Sequence, residues 1–170
     1  NAVLVSQPYT DHCHVDTLAA LDKSNVFATP SAANIIQKAF LDSDISSLSR
    51  LEDNACSKFQ DLEISYLKSA KLLAAQFYGL VIKNGNEVIV YCPHGFELTD
   101  EQLSILKQYE VKLLICNFSS FKLPFFLGGY VNPGKQNALD LIHQLKPQKV
   151  VHTHDENKEA KGLVKQLAKV

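Results

Sequence analysis

The sequence has no methionine and no tryptophan in 170 residues. It therefore has no start methionine, and it opens directly on an apolar strand, Val3-Leu4-Val5. A chain that begins inside a strand is expected to be a piece of something longer. No Cys-x-x-Cys pair occurs: the four cysteines stand alone at 13, 56, 92 and 116. Free thiols in a reducing, cytoplasmic compartment are expected, and a disulfide mini-protein is excluded. No apolar run approaches the roughly 20 residues of a membrane span; even the stretch Val111 to Cys116 is short and contains Lys112. No charged leader runs into an apolar stretch, so no signal peptide is read. Neither charge sign is in excess, with 17 Lys+Arg against 18 Asp+Glu. That balance gives no footprint for nucleic acid and no acidic tail.

What is present is an ordinary globular composition, 46% hydrophobic and 21% charged, long enough for one domain over 1–170. Short apolar runs alternate with helical periodicity. Val3 to Ser6 reads as a buried strand, Asp16 to Leu21 as a short helix and Asn25 to Ala28 as a strand. Thr29-Pro30 opens a helix through Phe40, because proline is tolerated in a first turn. Asp42 to Lys58 reads as a loop or irregular helical insert. Leu62 to Leu67 alternates as a strand does. Two β-rich runs flank Asn84-Gly85-Asn86, a hairpin signal. Thr99 and Gln102 have capping-box spacing for a helix to about Tyr109. Val111 to Cys116 is a strand, Phe118 to Tyr130 an aromatic loop that walls a pocket, plugs the core or forms a contact surface, and Pro133 to Leu145 a helix. Lys149 to His152 is a strand and Glu156 to Lys169 a closing helix. The class is mixed α/β.

The polar residues fall where these strands end. Val3–Ser6 runs into Asp11-His12-Cys13-His14, and Glu87–Cys92 into Pro93-His94-Gly95. Val111–Cys116 runs into Asn117, and Lys149–Val151 into His152-Thr153-His154-Asp155. Five of the six histidines lie at such ends; only His143 sits in a helix interior. Layered α/β folds bind ligands beyond their strand ends. Imidazole and carboxylate together suit zinc or a similar divalent ion. Each residue also has a plain structural alternative: Asp11 as a helix cap, His12 and His14 as exposed loop residues, His94 as a turn residue. His152 and His154 alternate, so one of them faces a shared site. Cys13 reads as a packed thiol before it reads as a nucleophile. Gly128-Gly129 lacks phosphate-loop spacing.

The segment Val3 to His12, then Ala28-Thr29-Pro30-Ser31-Ala32-Ala33, resembles the metal-binding strand, loop and next helix of the metallo-β-lactamase superfamily. Gly128 to Gly134, then Val150-Val151-His152-Thr153-His154-Asp155, resembles its last strand and terminal histidine. The lactonase-like and uncharacterised hydrolase branch is the nearest. The resemblance implies an αββα sandwich lacking its first strands, with an exposed edge that favours a homo-oligomer. It implies a metal-dependent hydrolase that turns metal-bound water on a small ester, lactone or phosphoester. Asp11 and His12 match the family's closing Asp-His pair, while Gln7 and Tyr9 stand where its first two histidines stand. His94 replaces the bridging aspartate, and His154, before His152, matches the terminal histidine. A mononuclear zinc site is thus expected from Asp11, His12, His94 and His154, with His14 and His152 as further candidates. The resemblance implies Asp11 as general base; Asn117 is expected as an oxyanion donor from its strand-end position alone. The competing expectation is an inactive member that binds a ligand or protein in the same cleft.

Overall fold

The computed structural model describes residues 1–21, 25–40, 47–70, 77–122, 124 and 130–153. It divides into two units, Asn1–Tyr66 and Leu67–Val170. In the first, β1 (Ala2–Val5), β2 (Asn25–Ala28) and β3 (Ser47–Arg50) form a parallel sheet in the order β1-β2-β3. Parallel neighbours need crossovers, and α1 (Val15–Ala20) and α2 (Pro30–Ala39) lie in them. Pro30 stands in the first turn of α2, as the sequence predicts. Val5, Val26 and Ala28 from the strands pack with Leu18, Ala32, Ala33 and Ile36 from the helices. Thr29 Oγ1 donates to the Ser6 carbonyl at 2.9 Å, tying the end of β2 to the residue after β1.

β4 (Cys56–Phe59) pairs antiparallel with β5 (Leu62–Lys68) across a turn where Gln60 has φ +54°. Phe59 meets Phe27 edge-on at 5.9 Å. The sequence expectation of a loop or helical insert over 42–58 is corrected here, since β3 and β4 occupy most of its described part. These strands are Ser-rich and polar. Strand pairing, not intrinsic propensity, makes them: Ser47 Oγ donates to Asn25 Oδ1 on β2 at 2.7 Å.

In the second unit, β6 (Tyr78–Asn84) and β7 (Glu87–Cys92) form the expected hairpin. Gly85 supplies the positive φ (+58°) of its two-residue turn. β7 then runs parallel to β8 (Glu110–Cys116), and β8 parallel to β11 (Lys149–His152). The order is β11-β8-β7-β6. α3 (Asp100–Leu106) opens on the predicted capping box, with Gln102 N–H donating to Thr99 Oγ1 at 3.1 Å and Thr99 N–H to Gln102 Oε1 at 3.0 Å. It ends at Leu106, short of Tyr109.

The aromatic stretch is not all loop. β9 (Ser120–Lys122) lies within it and pairs antiparallel with β10 (Tyr130–Pro133), which starts at its last residue, while Phe125 and Phe126 lie outside the described residues. Pro133 belongs to β10, and α4 (Lys135–Leu145) starts after Gly134. The core of this unit joins Val88, Val90, Leu114 and Cys116 of the sheet to Leu106 of α3 and Ala138, Leu141 and Leu145 of α4. The predicted closing helix, 156–169, falls outside the described residues. No helix among the described residues is long and apolar enough to cross a membrane.

Candidate functional site

The strand ends of the first unit present a short polar loop. Ser6 and Gln7, directly after β1, are buried. The chain turns on backbone bonds from His12 N–H and Cys13 N–H to the Tyr9 carbonyl, at 2.9 and 2.7 Å. That turn returns His12 to the strand end, where its Nδ1 lies 3.3 Å from Ser6 Oγ. The Ser6 carbonyl is already held by Thr29, so the His12 ring is attached to a fixed point. Its Nε2 lies 3.7 Å from Asp11 Oδ2. The imidazole is 7% exposed and the carboxylate 57%, so the pair offers a shielded nitrogen beside an oxygen open to solvent. Tyr9, where the resemblance places a histidine, is exposed at 55%.

His14 is placed otherwise. It is the N-cap of α1, with Nδ1 accepting from Thr17 N–H at 3.3 Å and lying 3.0 Å from Thr17 Oγ1. The cap that the sequence reading offers to Asp11 is therefore taken by His14. Cys13 is buried, and burial pushes its thiol above the ordinary range. A neutral thiol is neither a nucleophile nor a metal ligand, which agrees with the packed-thiol reading.

In the second unit, β7, β8 and β11 all end on one side. Cys92 pairs with Cys116, and Cys116 with His152. His94 lies just past the end of β7, with Nδ1–H donating to Asn132 Oδ1 on β10 at 2.8 Å. Gly95 has φ +101° and approaches Pro133 so closely that a Cβ would lie 2.4 Å from its Cγ. Asn137 of α4 then brackets Phe96: its Oδ1 accepts from Phe96 N–H at 3.1 Å and its Nδ2 donates to the Phe96 carbonyl at 3.0 Å. The turn carrying His94 is thereby attached to β10 and to α4. Asn132 and Asn137 escape sequence reasoning, because 38 residues separate Asn132 from His94.

Asn117 is 2% exposed, and its Oδ1 accepts from Ser119 N–H at 2.6 Å. Its Nδ2 is closed off from solvent and has no partner among the described residues. In this conformation Asn117 braces the turn after β8. His152 is exposed at the end of β11 and meets the Phe118 ring edge-on at 5.1 Å. His154 lies outside the described residues. Cys92 and Cys116 are buried; desolvation raises both thiols, that of Cys116 to about 11. A groove of about 670 Å³ lined by Tyr109, Val111, His143, Leu145 and Gln148 opens at the start of β8. It is at the far end of that strand from Asn117 and His152, so it is not the strand-end site.

Among solved structures the chain resembles the metallo-β-lactamase fold protein YhfI from Bacillus subtilis. The TM-score is 0.62 at 17% identity, over 90% of this chain and 63% of that one. The chain has the metallo-β-lactamase fold. The same fold relation extends to an isothiocyanate hydrolase from Delia radicum gut bacteria, with TM-score 0.61 and 22% identity over 91% of this chain and 63% of that one. Zinc-bound PqqB from Methylobacterium extorquens matches at TM-score 0.51 and 16% identity, over 68% of this chain and 45% of that one. The chain thus spans less than two thirds of the length of each of these three proteins. No protein-family model and no curated protein matches the sequence.

A divalent metal is the group this fold leads one to test. The donors fit in kind: the Asp11 carboxylate and His12 nitrogen stand together, and the His94 ring is held by a neighbouring amide. Among the described residues no three His, Cys, Asp or Glu side chains gather around one point.

Proposed function

We propose that this metallo-β-lactamase-fold chain is a metal-dependent hydrolase acting on a small ester, lactone or phosphoester. The observation that carries the reading is the Asp11–His12 pair, set at the end of β1 by Ser6. His12 and Asp11 are the donors assigned to the metal, zinc being the first candidate, with His94 and His154 as the further donors from the resemblance. A bound divalent ion supplies Lewis acidity toward the substrate oxygen and water. The exposed Asp11 carboxylate accepts the proton of the attacking water. His12, shielded and hydrogen-bonded, holds its ring still while Asp11 stays accessible. The four free thiols support a reducing, cytoplasmic setting.

A second reading is a catalytically inactive scaffold that binds a ligand in the same region. It is favoured by Gln7, a buried amide where the resemblance places a histidine. Hydrolysis of p-nitrophenyl acetate, a γ-lactone and bis(p-nitrophenyl) phosphate separates the two. Chelator-treated protein should be inactive, and zinc, manganese or iron should restore turnover. Absence of turnover on all three with every metal would leave the scaffold reading standing.

A further inference from the structure

We propose that Asn132 is a positioning residue that fixes the tautomer and plane of His94. The inference rests on the reading above only in taking His94 as a functional side chain. The Asn132 Oδ1 acceptor stands 2.8 Å from His94 Nδ1, so that nitrogen carries the proton and Nε2 carries the lone pair. In a neutral imidazole only one nitrogen can present a lone pair. A ring that holds a metal or takes a proton must present that one outward, and a carbonyl-type acceptor on the other nitrogen is the usual way to secure it.

Two further contacts show that the arrangement is built and not incidental. Gly95, next to His94, lies against Pro133, next to Asn132, at a distance no side chain would tolerate. Asn137 holds both backbone polar groups of Phe96. The segment from Asn132 to Asn137 therefore grips three consecutive residues of the His94 turn. Asn132 supplies the one contact of the three that reaches the imidazole.

The test reads the ring nitrogens directly. Protein labelled with ¹⁵N at histidine is measured without metal, at a pH where His94 is neutral, in wild type, Asn132→Leu and Asn132→Asp. Zinc affinity is measured on the same three proteins, with circular dichroism to verify folding. Wild type should carry the proton on Nδ1, and Asn132→Leu should shift it toward Nε2. Asn132→Asp, which keeps an acceptor oxygen, should restore the wild-type tautomer. Zinc affinity should fall by about 10- to 100-fold in Asn132→Leu and recover in Asn132→Asp. Wild-type His94 with its proton on Nε2, or an unchanged tautomer in a folded Asn132→Leu, would overturn the proposal. A wild type that binds no zinc but shows the expected tautomers supports the positioning role, and what then fails is the metal reading.

Discussion

Replacing Gly95 by alanine should be among the costliest single-methyl additions in this chain. Two penalties combine at this position. The backbone has φ +101°, a region L-residues avoid, at about 1–2 kcal/mol. The new Cβ would also lie 2.4 Å from Pro133 Cγ, 2.7 Å from Pro133 Cδ and 3.0 Å from Asn137 Oδ1. Those atoms belong to a proline ring and to an amide already bonded to Phe96, so neither yields easily. Overpacking of that kind costs about 1–3 kcal/mol, for a total of about 2–5 kcal/mol. Gly85 is the control, because it has φ +58° and nothing within 4 Å of its would-be Cβ. Gly85→Ala should bear the backbone cost alone, about 1 kcal/mol. Urea unfolding followed by far-UV circular dichroism measures both, the midpoints being comparable if the slopes agree. Equal losses in the two variants would refute the claim that the His94 turn is clamped against β10 and α4.

Other expectations follow from the same contacts. Thr99→Ala removes the cap of α3 and should cost about 1 kcal/mol by urea unfolding, with Thr99→Ser retaining most of it. Ellman's reagent should titrate Cys56 quickly in the native chain, and Cys13, Cys92 and Cys116 only after unfolding, because Cys56 alone is exposed. Burial raises the Cys116 thiol from an ordinary 9.0 to about 11, so the folded state holds that proton more tightly than the unfolded one. Its contribution should be complete below pH 9 and should decline toward pH 11 by about 2–3 kcal/mol. A Cys116→Ala variant whose stability falls as steeply across that window as wild type would contradict this. Ser6→Ala removes the hydroxyl beside Nδ1 of His12 and should weaken zinc binding about tenfold by calorimetry while leaving the fold intact.

The sequence made some features legible because their signals are local. The Thr99–Gln102 box, the Pro30 helix start and the hairpin at Gly85 are each encoded within a few residues, and the structure has all three. The strands β1 and β8 announce themselves by short, mostly apolar runs, that of β8 broken only by Lys112. β3 and β4 do not, because Ser47, Ser49 and Ser57 give them no apolar stripe, and the partner of β3 lies some twenty residues back in the chain. β9 and β10 were hidden for a related reason, since a three-residue strand among aromatic residues looks like loop until its partner is known. The Asp11–His12 pair could be read from adjacency alone. His14 as an N-cap could not, because histidine is not among the residues favoured there. Asn132 was invisible because it serves a histidine far away in sequence.

Metal stoichiometry tests the central claim most directly. Wild-type chain, His12→Ala and Asp11→Ala, purified without chelator or affinity histidines, are saturated with zinc, desalted and measured by inductively coupled plasma mass spectrometry. The account predicts about one divalent ion per wild-type chain, as a mononuclear site requires, and its loss in both variants with the fold retained. A folded wild-type chain that keeps no zinc, manganese or iron, or variants that keep as much as wild type, would contradict it.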